Sequence, residues 1–137
     1  GHIEKMSDQV EFVVQAQLLG EVGLAIDGPT NLSAIKVPYS DLDSVLVMTI
    51  KAGESGQMFN PEYLEKVEAL SVRNDPSTPL RQAQGRSGLV IEVDGGINDQ
   101  TITEAKNAGA TRFIANSFIF KARNPQEQYN LLKERVH

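Results

Sequence analysis

A chain of 137 residues with a formal charge of −5 can bury one core, and it is too acidic for nucleic acid or an anionic membrane as a bulk partner. Its 40% hydrophobic and 23% charged content is ordinary for a soluble globular chain. With no cysteine it can have no disulfide framework, thiolate metal site or cysteine nucleophile.

In chain order, His2-Ile-Glu4 reads as the tail of a strand. Asp8 followed by Glu11 forms a capping-box pattern, and Val10, Val13, Val14 and Leu18 share one helical face before Gly20, predicting a helix that ends there. Residues 22–26 and 45–50 are continuous apolar runs of strand type. Asn60-Pro61 is an N-cap followed by proline at the first helical position, with Tyr63, Leu64, Val67 and Leu70 as the inward stripe. Residues 74–88, rich in Pro, Ser, Gln and Gly without periodicity, read as a mobile loop insertion.

The run at 89–93 is a third strand, and it ends on Asp94-Gly95-Gly96. Asn98 caps the next helix, Ile97 and Ile102 staple it, and Gly109 stops it. Residues 112–115 form a fourth strand, and Asn124-Pro125 starts a last helix with Tyr129, Leu132 and Val136 inward. Strands that are apolar throughout suit a parallel sheet covered on both faces. Four or five such strands fit either an open doubly wound sheet or part of a (β/α)8 barrel, a complete barrel needing roughly 200–250 residues.

No apolar run approaches the roughly 18 residues of a membrane span and no signal-peptide pattern opens the chain, so a cytoplasmic location is expected. Gly1-His2 reads as a tag remnant or as the cut end of a longer chain.

The chemistry concentrates at Asp94. A carboxylate at the carboxyl end of a buried parallel strand is where α/β proteins place reacting groups. The two glycines after it let backbone N–H groups approach an anion such as phosphate.

The motifs, taken together, resemble the ribulose-phosphate 3-epimerase family. His2-Ile-Glu4 resembles the family's His-x-Glu at the end of its fourth strand. Gly23-Leu-Ala-Ile-Asp-Gly-Pro-Thr30 resembles the fifth-strand Gly-x-Ala-Leu-Asn-Pro-x-Thr. Residues 45–59 resemble the sixth strand and its glycine loop, Val93-Asp-Gly-Gly-Ile97 the seventh-strand motif, and Ala115-Asn-Ser-Phe-Ile-Phe120 the eighth-strand Ala-Gly-Ser-x-Ile-Phe. Each motif is weak alone; the ordered set is strong.

The resemblance implies a partial (β/α)8 TIM barrel, an α/β fold equivalent to the carboxyl-terminal half of the enzyme, as one domain over residues 1–137. The implied parent reaction is metal-assisted acid/base epimerisation between D-ribulose 5-phosphate and D-xylulose 5-phosphate. Asp94 would be both acid/base catalyst and ligand of a divalent metal. Gly53, Ser55 and Gly56 of the glycine loop, with Gly95, Gly96, Asn116 and Ser117, would hold the phosphate, and Met48 would lie near the reacting carbon.

The family's first three strands, with its other catalytic Asp and three of its four metal ligands, have no counterpart here. One carboxylate cannot serve both faces of a carbon, and one oxygen ligand does not hold a metal firmly. The chain alone is therefore expected to be inactive and to bind no metal firmly. Two departures touch the phosphate site: Glu54 adds negative charge in the glycine loop, and Asn116 replaces a glycine, as a residue that tolerates left-handed backbone. His2 falls outside the implied metal shell, and Asp27 reads as a turn residue before Gly28-Pro29.

Alternatives are a non-catalytic module binding a phosphorylated ketose, a self-associating half-barrel, or an epimerase of another ketose phosphate. Exposed edges of an open parallel sheet predict a homo-oligomer or domain-swapped dimer, or pairing with a separate amino-terminal half.

Overall fold

Each of the four apolar runs forms a strand, and all four pair in parallel. The computed structural model describes residues 1–51, 58–73 and 88–137; apart from Gly88, the loop insertion expected at 74–88 lies outside them. The strands are β1 (Gly23–Ile26), β2 (Ser44–Met48), β3 (Val90–Asp94) and β4 (Arg112–Ile114), in spatial order β1-β2-β3-β4. His2 adds an isolated parallel bridge to Ala25, so the expected strand tail is one residue deep before a 3-10 turn at Ile3–Lys5.

Spatial order equal to chain order decides between the two architectures left open by the sequence. A doubly wound sheet reverses its strand order at a switch point. Here every crossover steps the same way, and right-handed crossovers then put their helices on one face, as in consecutive staves of a (β/α)8 barrel.

Burial follows that arrangement. Leu24, Ile26, Val45, Val47, Ile91 and Val93 project to one face and are all exposed by 1% or less. The alternate residues Leu46, Met48, Val90, Glu92 and Asp94 are only half-buried, and Arg112 and Ile114 are exposed. On this open face His2, Ala25, Leu46, Glu92 and Arg112 share one level, with Met48, Asp94 and Ile114 at the next. A Glu92–Arg112 ion pair of 2.8 Å joins β3 to β4 there. The expectation of strands covered on both faces is thus corrected: among the described residues, one face is covered.

The helices are α1 (Gln9–Gln17), α2 (Leu64–Arg73), α3 (Thr101–Ala108), α4 (Ser117–Phe120) and α5 (Pro125–Val136). Asp8 caps α1 by accepting from the Glu11 N–H at 2.9 Å. Asn60 caps a 3-10 turn at Pro61–Tyr63 that leads into α2, whose Leu64, Val67 and Leu70 are buried. Asn98 Oδ1 accepts from the N–H groups of Gln100 and Thr101, both at 2.9 Å, ahead of α3. Ile97 and Ile102 are buried as the staple requires. Gly109 ends α3 at φ 115°, a left-handed value suited to glycine.

Two apolar stripes differ from expectation. Of the four residues of the stripe expected for α1 only Val13 is buried; Val10, Val14 and the C-cap residue Leu18 are 54%, 52% and 78% exposed. The reason is polar anchoring. Gln9 donates to Ala34 O and accepts from Lys36 N, both at 2.7 Å, and Gln17 donates to Asp41 O at 3.0 Å. These bonds turn the face carrying Gln9, Val13 and Gln17 toward the protein. On α5, Leu132 is buried but Tyr129 is 51% exposed.

Candidate functional site

The end of β2 builds the floor of the site. Thr49, fully buried, donates its N–H to Asp94 O at 2.8 Å and its hydroxyl to the carbonyls of Asp94, at 3.0 Å, and Gly95. Its own carbonyl accepts from Asn60 N at 2.8 Å. A buried hydroxyl needs partners, and here it takes them from the turn that carries the carboxylate. The exit of β3 is thereby fixed to β2. The sequence shows Thr49 only as the polar interruption in an apolar run.

Gly95 and Gly96 adopt φ 120° and 67°. A Cβ on Gly95 would lie 2.7 Å from Ile50 Cγ1, and one on Gly96 would lie 2.8 Å from the Phe59 backbone nitrogen. Both positions exclude a side chain by conformation and by space. Thr101 Oγ1 donates to Gly96 O at 2.7 Å, tying the second glycine to the first turn of α3.

Beyond this turn a cleft of about 450 Å³ is lined by Asp94, Gly95, Gly96, Asn116, Ser117 and Lys121, with Ile50, Ile114 and Phe120 among its apolar walls. Five of the residues singled out in the sequence therefore share one cleft. Met48 pairs in register with Asp94 on the same face and is not among the residues lining the cleft. Gly53, Ser55, Gly56 and Glu54 lie outside the described residues. Asn116 has φ −113°, so it does not use the left-handed conformation that asparagine tolerates. Lys121 was missed by sequence reasoning. It brings positive charge to a cleft that carries Asp94, and its position just after the eighth-strand-like motif was the only signal.

Burial pushes the Asp94 carboxyl above the ordinary aspartate range, with the His2 charge acting in the opposite direction. A carboxyl that protonates more readily is suited to exchange protons with a carbon acid. Among the described residues no three His, Asp or Glu side chains gather in a metal-holding group. One carboxylate does not fit a firmly held divalent ion.

A separate groove of about 470 Å³ lies beside β4, with Phe113, Tyr129, Leu132 and Val136 in its apolar walls. Its lining also includes Lys133 and His137 but, among the described residues, no Asp or Glu side chain, so the candidate chemistry lies in the Asp94 cleft. None of the described helices is long and apolar enough to cross a membrane.

Comparison with known proteins agrees with the ordered motifs. A model described as the ribulose-phosphate 3 epimerase family matches residues 1–120. Ribulose-phosphate 3-epimerase of Schizosaccharomyces pombe (strain 972) is 35% identical over 136 residues, covering 98% of this chain and 54% of that protein. The protein of the same name from Mycobacterium tuberculosis (strain H37Rv) is 39% identical over 129 residues, covering 90% of this chain and 51% of its own length. A rice protein (Oryza sativa subsp. japonica) named as the cytoplasmic isoform is 42% identical over 95 residues, 69% of this chain and 36% of its own. Among solved structures, 3-hexulose-6-phosphate synthase from Salmonella typhimurium aligns at 19% identity with a TM-score of 0.42, covering 96% of this chain and 70% of its own. The chain spans about half the length of the curated relatives it matches.

Proposed function

The chain belongs to the ribulose-phosphate 3-epimerase family, and from that premise we propose that its cleft holds the phosphate and presents one proton-transferring carboxyl in the interconversion of D-ribulose 5-phosphate and D-xylulose 5-phosphate. The observation that carries this reading is that one cleft is lined by the carboxylate ending β3, the glycine pair after it, and Asn116 and Ser117 after β4.

Each part has a role. Gly95, Gly96 and Ser117 offer backbone amides to the phosphate, and Lys121 adds a positive charge. Asp94 takes or returns the proton at the carbon beside the ketone. Burial raises its pKa, which favours the protonated carboxyl that returns the proton. Inversion also needs a second group on the opposite face of that carbon. The described cleft has one carboxylate, so in this reading the chain by itself does not turn over substrate. A divalent metal belongs to the complete enzyme in this reading and is not held firmly here. The cytoplasm is its proposed location, supported by the naming of the rice relative.

Calorimetry with D-ribulose 5-phosphate tests the site. Binding at millimolar ligand that is weakened in Lys121→Ala, with the variant's circular dichroism unchanged, is the expected result. No binding to the parent chain refutes it. Adding a divalent metal and following epimerisation tests the rest: turnover above an Asp94→Asn control would overturn the proposed inactivity. Binding without turnover is also what a phosphosugar-binding module would show, a reading favoured by the single carboxylate.

The open sheet supports a proposal about assembly. At one edge β4 carries the apolar groove of Phe113, Tyr129, Leu132 and Val136, rimmed by Lys133 and His137. Toward the other edge α1 projects Val10, Val14 and Leu18 beside Glu11. The groove carries Lys133 and the α1 ridge carries Glu11, and these apolar surfaces with opposite charges favour a second copy of this chain; a separate amino-terminal half is the alternative occupant.

A further inference from the structure

The turn leaving β1 is held from two sides by groups outside the proposed site. Its Asp27 N–H donates to Glu4 Oε1 at 2.6 Å, and its Thr30 N–H closes back on Asp27 O at 3.1 Å. From the other side the Lys66 ammonium, reaching from α2, donates to the carbonyls of Asp27 at 2.9 Å, Thr30 at 3.0 Å and Gly28. The same ammonium sits 5.2 Å from the centre of the Tyr63 ring.

Three carbonyl oxygens turned toward one point repel one another. An ammonium is the side-chain group that reconciles them, because it has positive charge and three donors in tetrahedral array. A guanidinium presents a planar fork and a thioether presents no donor.

The turn is also in close packing with the cleft. A Cβ on Gly28 would fall 2.2 Å from the Tyr63 ring and 2.8 Å from Ile50 O; a Cβ on Gly95 would fall 2.7 Å from Ile50 Cγ1. No gap therefore separates turn from Ile50 or Ile50 from Gly95. We infer that Lys66 is a positioning residue for the cleft: a tethered cation that gathers the β1 exit turn and so sets the seat of Ile50 against which Gly95 rests. Its partial burial agrees with this, since desolvation draws its pKa below the ordinary lysine range while the charges of Asp27 and Glu4 act to raise it. The inference rests on the reading above only in taking the Gly95 cleft as the site.

Backbone NMR of the 137-residue chain tests it with three variants of one position. In Lys66→Ala, amide exchange at Asp27 and Thr30 is expected to accelerate roughly tenfold or more as the turn opens, and the Gly95 amide resonance to move. Adding n-propylammonium chloride, which replaces the atoms removed, should return both toward the parent values. In Lys66→Met, which keeps most of the length but not the charge, the same changes should appear and the amine should have little effect, because the side chain fills most of its place. Lys66→Arg should leave the turn incompletely restored. A Gly95 resonance unmoved in both Lys66→Ala and Lys66→Met overturns the proposal, as does failure of the amine to restore a folded Lys66→Ala chain. Should Lys66→Ala not fold, the Lys66→Met spectrum decides alone. None of these readouts uses a pentose phosphate, so failure of sugar binding and failure of this inference are separately visible.

Discussion

Asp94 pays for its position at the mouth of the sheet with lost hydration, and that cost depends on pH. Its folded pKa is raised by burial. The native state thus binds the proton more tightly than the unfolded chain does. Stability from this group is full below the ordinary aspartate value and declines as pH rises through the raised folded value. Asp94→Asn removes the charge and should stabilise the fold at neutral pH. The carboxylate is only half-buried, so water screens it and the gain is limited to about 0.5 kcal/mol. Urea unfolding at neutral and acid pH checks the sign: the variant's advantage should vanish where both forms are uncharged. The same substitution removes the proton carrier, which separates stability from any chemistry. Asp94 with its two glycines was legible in sequence because a carboxylate, a glycine pair and a helix start occur consecutively. Lys121 and Thr49 were not, since each becomes meaningful only through a residue distant in the chain.

At the scale of single elements, end signals were more readable than faces. Asp8, Asn60 and Asn124 each accept a backbone N–H at a helix start, as local chemistry dictates wherever the rest of the chain lies. The inward face of α1 was not readable in the same way. Its valines offered a plausible stripe, yet the side-chain amides of Gln9 and Gln17 dock on loop backbone and orient the helix instead. Gln9→Ala should therefore cost about 0.5–1.5 kcal/mol, because it removes two hydrogen bonds whose backbone partners turn to water instead. Val14→Ala, on the exposed side, should cost less than about 0.5 kcal/mol. Chemical denaturation of the two variants compares them directly; equal losses would show that the apolar stripe carries the helix. The α2 stripe did match its burial, for Val67 and Leu70 have 0% exposure, even though Lys66 on the same helix is bonded to the turn leaving β1.

At the scale of the whole molecule, helices cover one face of the sheet and, among the described residues, the other is half open. Its level of His2, Ala25, Leu46, Glu92 and Arg112 contains an ion pair exposed at the Arg112 end. Such a face, bounded by an apolar groove and an apolar helix ridge, favours association. Light scattering is expected to give twice the 15.0 kDa of one chain. Val14→Glu, which places charge on the ridge, should shift the mass back to a monomer. A parent chain that is monomeric at high concentration would sink the assembly proposal.

The amino-acid order by itself determined the alternation of strands and helices, the helix starts, the family resemblance and the place of the carboxylate. These follow from periodicity, caps and motifs spanning a few residues. Tertiary structure alone decided three other matters: that the strands run β1 to β4 without a switch point, that one sheet face stays open, and that Lys66, Thr49 and Lys121 serve the region of the cleft. Each depends on long-range juxtaposition. A lysine on α2 and three carbonyls some 36 to 39 residues earlier in the chain leave no local pattern, because the force that unites them, an ammonium answering converging dipoles, exists only after the sheet has brought them together.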